Sequence, residues 1–253
     1  MKPHHVNLKR PNYGIDAPTV VRNFMLLGTG LILLAVSLYF ALASGRPSLA
    51  TILLHMILWP GIYFLATAIV MLWGSKVGKF RERDRLLEAI PWRGDEDVLD
   101  VGCGHGLLLI GVAKRLTTGK AVGIDLWQKE DQAGNSPEAT WANVQIEGVT
   151  DRVEIKDGDA RWLPFPSATF DVVVSSWALH NVYAAPERRQ AVREIARVLK
   201  PGGRVALLDI RHTREYVDVL RECGLSNVRR SGPRFLFVIP TRAVTGHKPF
   251  QTG

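Results

Sequence analysis

Two stretches without an acidic residue, lysine or arginine constrain this chain more than anything else in it. They run from Phe24 to Ser44 (FMLLGTGLILLAVSLYFALAS) and from Ser48 to Ser75, with only Gly45-Arg46-Pro47 between them. About 20 helical residues cover roughly 30 Å, the thickness of a bilayer's hydrocarbon core. Backbone polar groups at that depth must be satisfied within the segment, which leaves helix as the available form. The two runs therefore predict a transmembrane helical hairpin over residues 23–75, with a kink at Pro60-Gly61 of the kind membrane helices tolerate. A hairpin buried in a soluble protein would keep a polar face, and neither run has one. A cleaved leader ending at Ala41-Leu42-Ala43 would be shorter and would not be followed by a second apolar run.

The flanking charges give an orientation. Lys2, Lys9, Arg10 and Arg22 precede the hairpin, Lys76, Lys79, Arg81, Arg83 and Arg85 follow it, and the connection holds only Arg46. The positive-inside rule then predicts a two-span integral membrane protein with both termini cytoplasmic. Residues 1–22 read as a cytoplasmic segment and 76–92 as a basic linker helix, with Phe80, Leu87 and Ile90 on one face and Pro91 at its end. Juxtamembrane cations beside anionic lipid account for much of the net charge of +8, which weakens a nucleic-acid reading. The two cysteines, Cys103 and Cys223, cannot make a disulfide framework, and fit a reducing compartment.

From residue 93 to 253 the pattern changes. Short apolar runs alternate with helical periodicity, as a doubly wound, mostly parallel α/β sheet requires. Strands are predicted at Val98–Val101, Ala121–Asp125, Val153–Ile155, Phe170–Ser176 and Arg204–Ile210. Ser136-Pro137 and Gly148 bracket one helix as N-cap, first residue and stop. Pro186 opens another that places Val192, Ile195 and Leu199 on one face, and a last helix covers about Arg214 to Cys223. A C-terminal strand pair follows, with the apolar stretch Gly232–Pro240 (GPRFLFVIP) as cover for a pocket, a lipid contact or a buried strand.

The first of these strands ends at Asp100 and turns through Gly102, Gly104 and Gly106 (VLDVGCGHG). Glycines allow tight turning and close approach of a ligand, and in such sheets ligands bind beyond the carboxyl ends of the strands. The spacing excludes two common ligands. A dinucleotide fingerprint would place glycine at 107, where Leu107 stands, and no Walker sequence is present. Asp125 ends the second strand, where an acid accepts from ribose hydroxyls. Asp159, in Gly158-Asp159-Ala160 after the third strand, is placed to accept from an adenine amino group. The alternatives are a helix-capping or solvated acid for Asp125 and a turn residue for Asp159, both the lesser readings in this context. Cys103 reads as a small filler.

In this order the glycine loop, Asp125, GDA, the segment LPFPSATFDVVVSSWALHNV and LKPGGRVALLDI resemble the class I S-adenosylmethionine-dependent methyltransferases, the quinone-type and other small-molecule enzymes most of all, over roughly Asp97 to Ile210. The resemblance implies a Rossmann-like fold with S-adenosyl-L-methionine as cofactor and S-adenosyl-L-homocysteine as product, and no metal. It implies Asp100, Gly102, Gly104 and Gly106 around the methionine part, Asp125 at the ribose with Leu126 beside the adenine, and Asp159 and Ala160 at the adenine edge. Ser176 and Trp177 would line the transfer site.

Methyl transfer needs a general base only for a protonated acceptor. His180 is the candidate, with a structural role as the alternative, and Asn181 and Tyr183 stand beside it. Arg211 and His212 follow the fifth strand and could hold an anionic group. Trp127, Trp162, Trp177 and Tyr183 all follow strand ends and could wall the pocket. Nucleic-acid amino-methyltransferases carry Asn/Asp-Pro-Pro-aromatic after the fourth strand. Here the sequence is SSWALHN, so the expected partners are a small-molecule or lipid substrate and the bilayer, with no nucleic acid. A homo-oligomer through the hairpin, a water-soluble acceptor (thiol, amine or metalloid) and a non-catalytic cofactor-binding scaffold stay open.

Overall fold

The computed structural model describes residues 10–128, 134–235 and 240–250. Lys2, Lys9 and positions 236–239 of the apolar C-terminal stretch lie outside them. The chain divides into two compact units: residues 15–78, and residues 1–14 together with 79–253.

The smaller unit is a pair of helices, α1 (Pro18–Leu42) and α2 (Pro47–Trp73), each with proline in its first turn, where the missing N–H goes unneeded. The helix α2 runs on through Pro60. Gly61 follows Pro60 and packs on Gly28 of α1: a Cβ added at Gly28 would lie 2.9 Å from Gly61 O and 2.8 Å from Leu65 N. Small residues at this crossing let the two backbones touch, as membrane helix pairs do. Only 11% and 17% of the most apolar stretches of the two helices are buried, and Leu26, Leu33, Phe40, Trp59 and Tyr63 are exposed. A buried soluble core has the opposite distribution. A π-helical turn, Gly74–Gly78, ends the unit, and Ser75 Oγ donates to Asp16 Oδ2 while accepting from the Asp16 N–H.

The larger unit starts with α3 (Lys79–Glu88), followed by β1 (Asp97–Val101), α4 (Leu107–Ala113), β2 (Lys120–Asp125), α5 (Pro137–Ile146) and β3 (Val153–Asp157). Then come β4 (Phe170–Ser176), α6 (Ala185–Val198), β5 (Leu199–Asp209), α7 (Thr213–Glu222), β6 (Ser226–Arg230) and β7 (Arg242–His247). The sheet order is β3-β2-β1-β4-β5-β7-β6. The first five strands are parallel, β7 is antiparallel to β5, and β6 is antiparallel to β7. This is the Rossmann-like arrangement that the alternation of elements predicts. Strand β5 begins earlier than its apolar run, at Leu199, because Leu199 pairs with Phe170 before the irregularity between Phe170 and Val172. The C-terminal strand pair also forms, from Ser226–Arg230 and Arg242–His247.

Both sheet faces are covered, so the strands read as nearly unbroken apolar runs. On one face Val192 and Ile195 of α6 and Tyr216 and Leu220 of α7 pack with Leu99, Val173 and Leu207. On the other, Leu87 of α3 with Leu109 and Ile110 of α4 pack with Val98, Val172 and Ala206. Ser136 caps α5 as predicted, its hydroxyl accepting from Ala139 N at 3.2 Å. Strand order reverses between β1 and β4, so the carboxyl end of β1 opens onto the switch point of the sheet.

Candidate functional site

The glycine loop sits at that switch point and is tied from two directions. Gly102 N and Cys103 N donate to Ile124 O of β2, and Gly104 N donates to Asp125 Oδ2 at 2.8 Å. From α5, Thr140 Oγ1 donates to Gly104 O and Asn143 Nδ2 to His105 O. Gly102 has φ +74°, and a Cβ there would come 2.2 Å from Ala178 Cβ, so the loop packs against the segment following β4. Cys103 is buried, and burial holds its thiol well above the ordinary range, which fits the filler role and not a nucleophile.

Asp100, at 1% exposure, is the electrostatic anomaly of the site. Neither carboxylate oxygen has a hydrogen-bond partner among the described residues. Burial first, and the nearby Asp125 second, push its pKa up to about 8; the Leu109 N–H, too poorly aligned to make a hydrogen bond, offsets a small part. An orphaned buried carboxyl is costly unless a cation arrives to meet it. Asp125 is better supplied, since its Oδ1 accepts from Trp127 N at 2.7 Å and Asn135 Nδ2 at 3.1 Å.

Three of the strand ends carry strain. Trp127, Trp177 and His212, which follow β2, β4 and β5, hold φ values of +58°, +52° and +57°. Left-handed non-glycine residues of this kind cluster where a structure holds a site in place. Beyond Trp177 a 3₁₀ turn, Leu179–Asn181, presents His180 to the end of β5. His180 Nδ1 lies 2.7 Å from Asp209 Oδ1, close for an ion pair although its ring N–H is not aligned for a hydrogen bond. The buried Asp209 is fixed in turn: Oδ2 accepts from the His180 N–H at 3.1 Å and the Tyr216 hydroxyl at 2.9 Å, and Oδ1 accepts from Ile210 N. Burial, and then Asp209, raise the Tyr216 pKa, so that hydroxyl stays a donor.

The predicted residues separate into groups. Asp100, the three glycines and Asp125 form one connected cluster, with Trp177 and His180 on the segment that packs over it. Ser176 is half-buried at the end of β4, and Ala160 packs against the core beside β3. Leu126 is exposed, and Trp127 anchors its indole N–H on Asp157 Oδ1. Asp159 is engaged by Arg161, which donates from Nε and Nη2, and this ion pair lowers the Asp159 pKa. Tyr183 (88% exposed) and Trp162 are exposed among the described residues. Asn181 is half-buried in the 3₁₀ turn, while Arg211 and His212 are exposed, His212 at 4.0 Å from Glu215. Sequence reasoning missed Asp209, Tyr216, Asn135, Thr140 and Asn143. Asp209 had a signal, because it ends an apolar strand as Asp100 and Asp125 do.

Residues 99–207 match a protein family described as a methyltransferase domain. The 27-O-demethylrifamycin SV methyltransferase of Amycolatopsis mediterranei is 40% identical over 132 residues, 51% of this chain and 44% of the relative. The demethylmenaquinone methyltransferase of Symbiobacterium thermophilum is 36% identical over 119 residues, 47% of this chain and 44% of the relative. The chain thus spans less than half the length of these two relatives. Among solved structures, the [4+2]-cyclase SpnF superposes with a TM-score of 0.57 at 20% identity, covering 70% of this chain and 83% of that one. That likeness shows the fold alone, and a fold shared with a cyclase does not by itself fix the reaction.

Proposed function

We propose that the protein is a membrane-anchored, class I S-adenosylmethionine-dependent methyltransferase that acts on a small, apolar or lipid-like acceptor at the cytoplasmic membrane face; the methyltransferase-domain match and the two methyltransferase relatives support the enzyme part. The observation that carries the membrane part is the outward-facing apolar surface of α1 and α2, which no residue of their own unit covers. A relative named for demethylmenaquinone supports a quinone-like acceptor.

The residues present fit the cofactor. Asp100 is a buried carboxyl in want of a cation, which the sulfonium and ammonium of S-adenosylmethionine supply. Gly102 and Gly104 give the methionine part a bare backbone, Asp125 keeps lone pairs for ribose hydroxyls, and Leu126 offers an exposed apolar side chain to the adenine. Asp159 meets the adenine edge only through an oxygen it shares with Arg161. When bound, the cofactor supplies an activated methyl carbon, and the protein's share is alignment and exclusion of water.

His180 is the general base of this reading. Asp209 lies beside Nδ1 and binds the His180 backbone N–H, so Nε2 is the nitrogen left to take the acceptor's proton, and the nearby buried carboxylate stabilises the resulting imidazolium. Arg211 and His212 are left to meet an anionic group on the acceptor.

The test is transfer of labelled methyl from S-adenosylmethionine to a total cell extract by the detergent-purified full chain, with Asp100→Ala as blank. Label partitioning into the organic phase is the expected result. Label only in the aqueous phase overturns the apolar acceptor and leaves a methyltransferase for a soluble thiol, amine or metalloid. Cofactor binding with no turnover on any extract leaves a cofactor-binding scaffold.

A further inference from the structure

The hairpin leaves the larger unit after Gly14 and returns to it at Lys79. These flanking residues are stapled together: the buried Lys79 Nζ donates to Tyr13 O at 2.7 Å and to Gly14 O at 2.9 Å. The short segment before the hairpin does not hang free from that staple. Tyr13 is buried, donates its hydroxyl to Glu147 at 2.9 Å and sets its ring edge-on to Phe80 of α3. One residue earlier, Asn12 reaches the glycine loop. Its N–H donates to Asn143 Oδ1 at 2.8 Å, and its carbonyl accepts from Asn143 Nδ2 at 2.9 Å and from His105 Nδ1 at 3.1 Å.

Asn143, 3% exposed on α5, is the centre of this arrangement. One amide hydrogen goes to Asn12 O, the other to His105 O inside the glycine loop, and its oxygen takes the Asn12 N–H. The side chain thus mimics a strand partner for residue 12 while gripping residue 105. Asparagine is a poor residue for a helix interior, and a buried one earns its place through such bonds. The donor requirement also fixes the tautomer of His105, whose Nδ1 must carry a hydrogen to reach a carbonyl oxygen.

We propose that residues 12–14 are a strap that positions the glycine loop, so that the cofactor site is complete only with a segment lying on the far side of the membrane hairpin in sequence. Asn143 and Tyr13 act as positioning residues: neither binds cofactor, and both set the shape of the loop that does. The proposal rests on the reading that this loop holds S-adenosylmethionine. It also gives the hairpin a second consequence, because the strap is continuous with α1 and is stapled to the residue that follows the hairpin.

The experiment is a double-mutant cycle of Asn143→Ala and Tyr13→Ala in the full chain in detergent, with Tyr13→Phe as the conservative variant. Tyr13 reaches the loop through its neighbour Asn12, so a role confined to its own packing predicts no effect on cofactor use. The strap predicts that each alanine variant raises the KM for S-adenosylmethionine about tenfold with kcat within about twofold, and that the double variant is no worse than the more affected single one. Tyr13→Phe keeps the ring packing and stays within about threefold of wild type. Amide hydrogen exchange at residues 103–106 of the cofactor-free protein gives a readout that needs no cofactor: protection falls in both alanine variants. An unchanged KM and unchanged protection in Tyr13→Ala, or effects that multiply in the double variant, overturn the strap. Failure of the wild type to bind labelled S-adenosylmethionine overturns the cofactor reading instead, and the exchange measurement still decides the strap.

Discussion

Replacing Asp100 with Asn should stabilise the cofactor-free domain and weaken cofactor binding at once. The carboxyl rises from 3.8 to about 8 on folding, so the unfolded chain ionises it long before the folded one does. A group raised in this way contributes its full stability below pH 3.8, and loses it as pH climbs through 8. At 1.36 kcal/mol per pH unit, the resulting penalty is on the order of a few kcal/mol and grows from pH 6 to pH 8.5. The wild type therefore gives up roughly 2–3 kcal/mol between those pH values, on the order of 5–10 °C of melting temperature for a domain of this size. Calorimetry of the cofactor-free full chain in detergent at both pH values measures it. Asp100→Asn should flatten this pH dependence, melt above wild type at pH 8.5 and bind S-adenosylmethionine at least about tenfold more weakly, since the cation then meets a neutral amide. An undiminished pH dependence in the variant, or a variant less stable than wild type at pH 8.5, would refute the assignment of that penalty to Asp100.

Asp209→Asn removes the negative charge 2.7 Å from His180 Nδ1, and kcat should fall about 10²-fold or more with little change in cofactor affinity for an acceptor that arrives protonated; equal falls in kcat and cofactor affinity would mean a structural role. Gly102→Ala is blocked twice, by φ +74° and by Ala178 Cβ at 2.2 Å, so cofactor binding should be lost. Adding Ala178→Gly should recover only part of it, because the backbone strain remains, and equilibrium dialysis with labelled cofactor separates the two contributions. Gly28→Val drives a side chain into the backbone of α2 at Gly61 and Leu65 and should open the hairpin, read as new protease sensitivity of residues 43–47 in membrane vesicles.

Much of the fold was legible because its signals are local. Ser136-Pro137 writes a helix start into two residues, Gly148 writes its stop, and apolar runs at Val98, Ala121 and Val172 state that those strands are covered on both faces. Asp100 and the glycines announced a ligand loop for the same reason, since a strand that stops at an acid and turns through bare backbone has few other uses. Asp209 carries the same strand-end signature, but what it does depends on His180, 29 residues away. Nothing in local sequence pairs them.

The sequence by itself determined two apolar helices, an alternating α/β domain and a glycine loop at the end of its first strand, because hydrophobic periodicity, caps and turns are encoded within a few residues of where they act. Only the tertiary structure decided that Asp100 is buried beside Asp125 with no hydrogen bond to either oxygen, that Asp209 meets His180, and that Asn12 is bound through Asn143 to a loop more than ninety residues further on. Those outcomes depend on which polar groups meet once water is excluded. That is a property of residues brought together by the β1–β4 switch point and by the return of the chain at Lys79, and no stretch of sequence contains both partners.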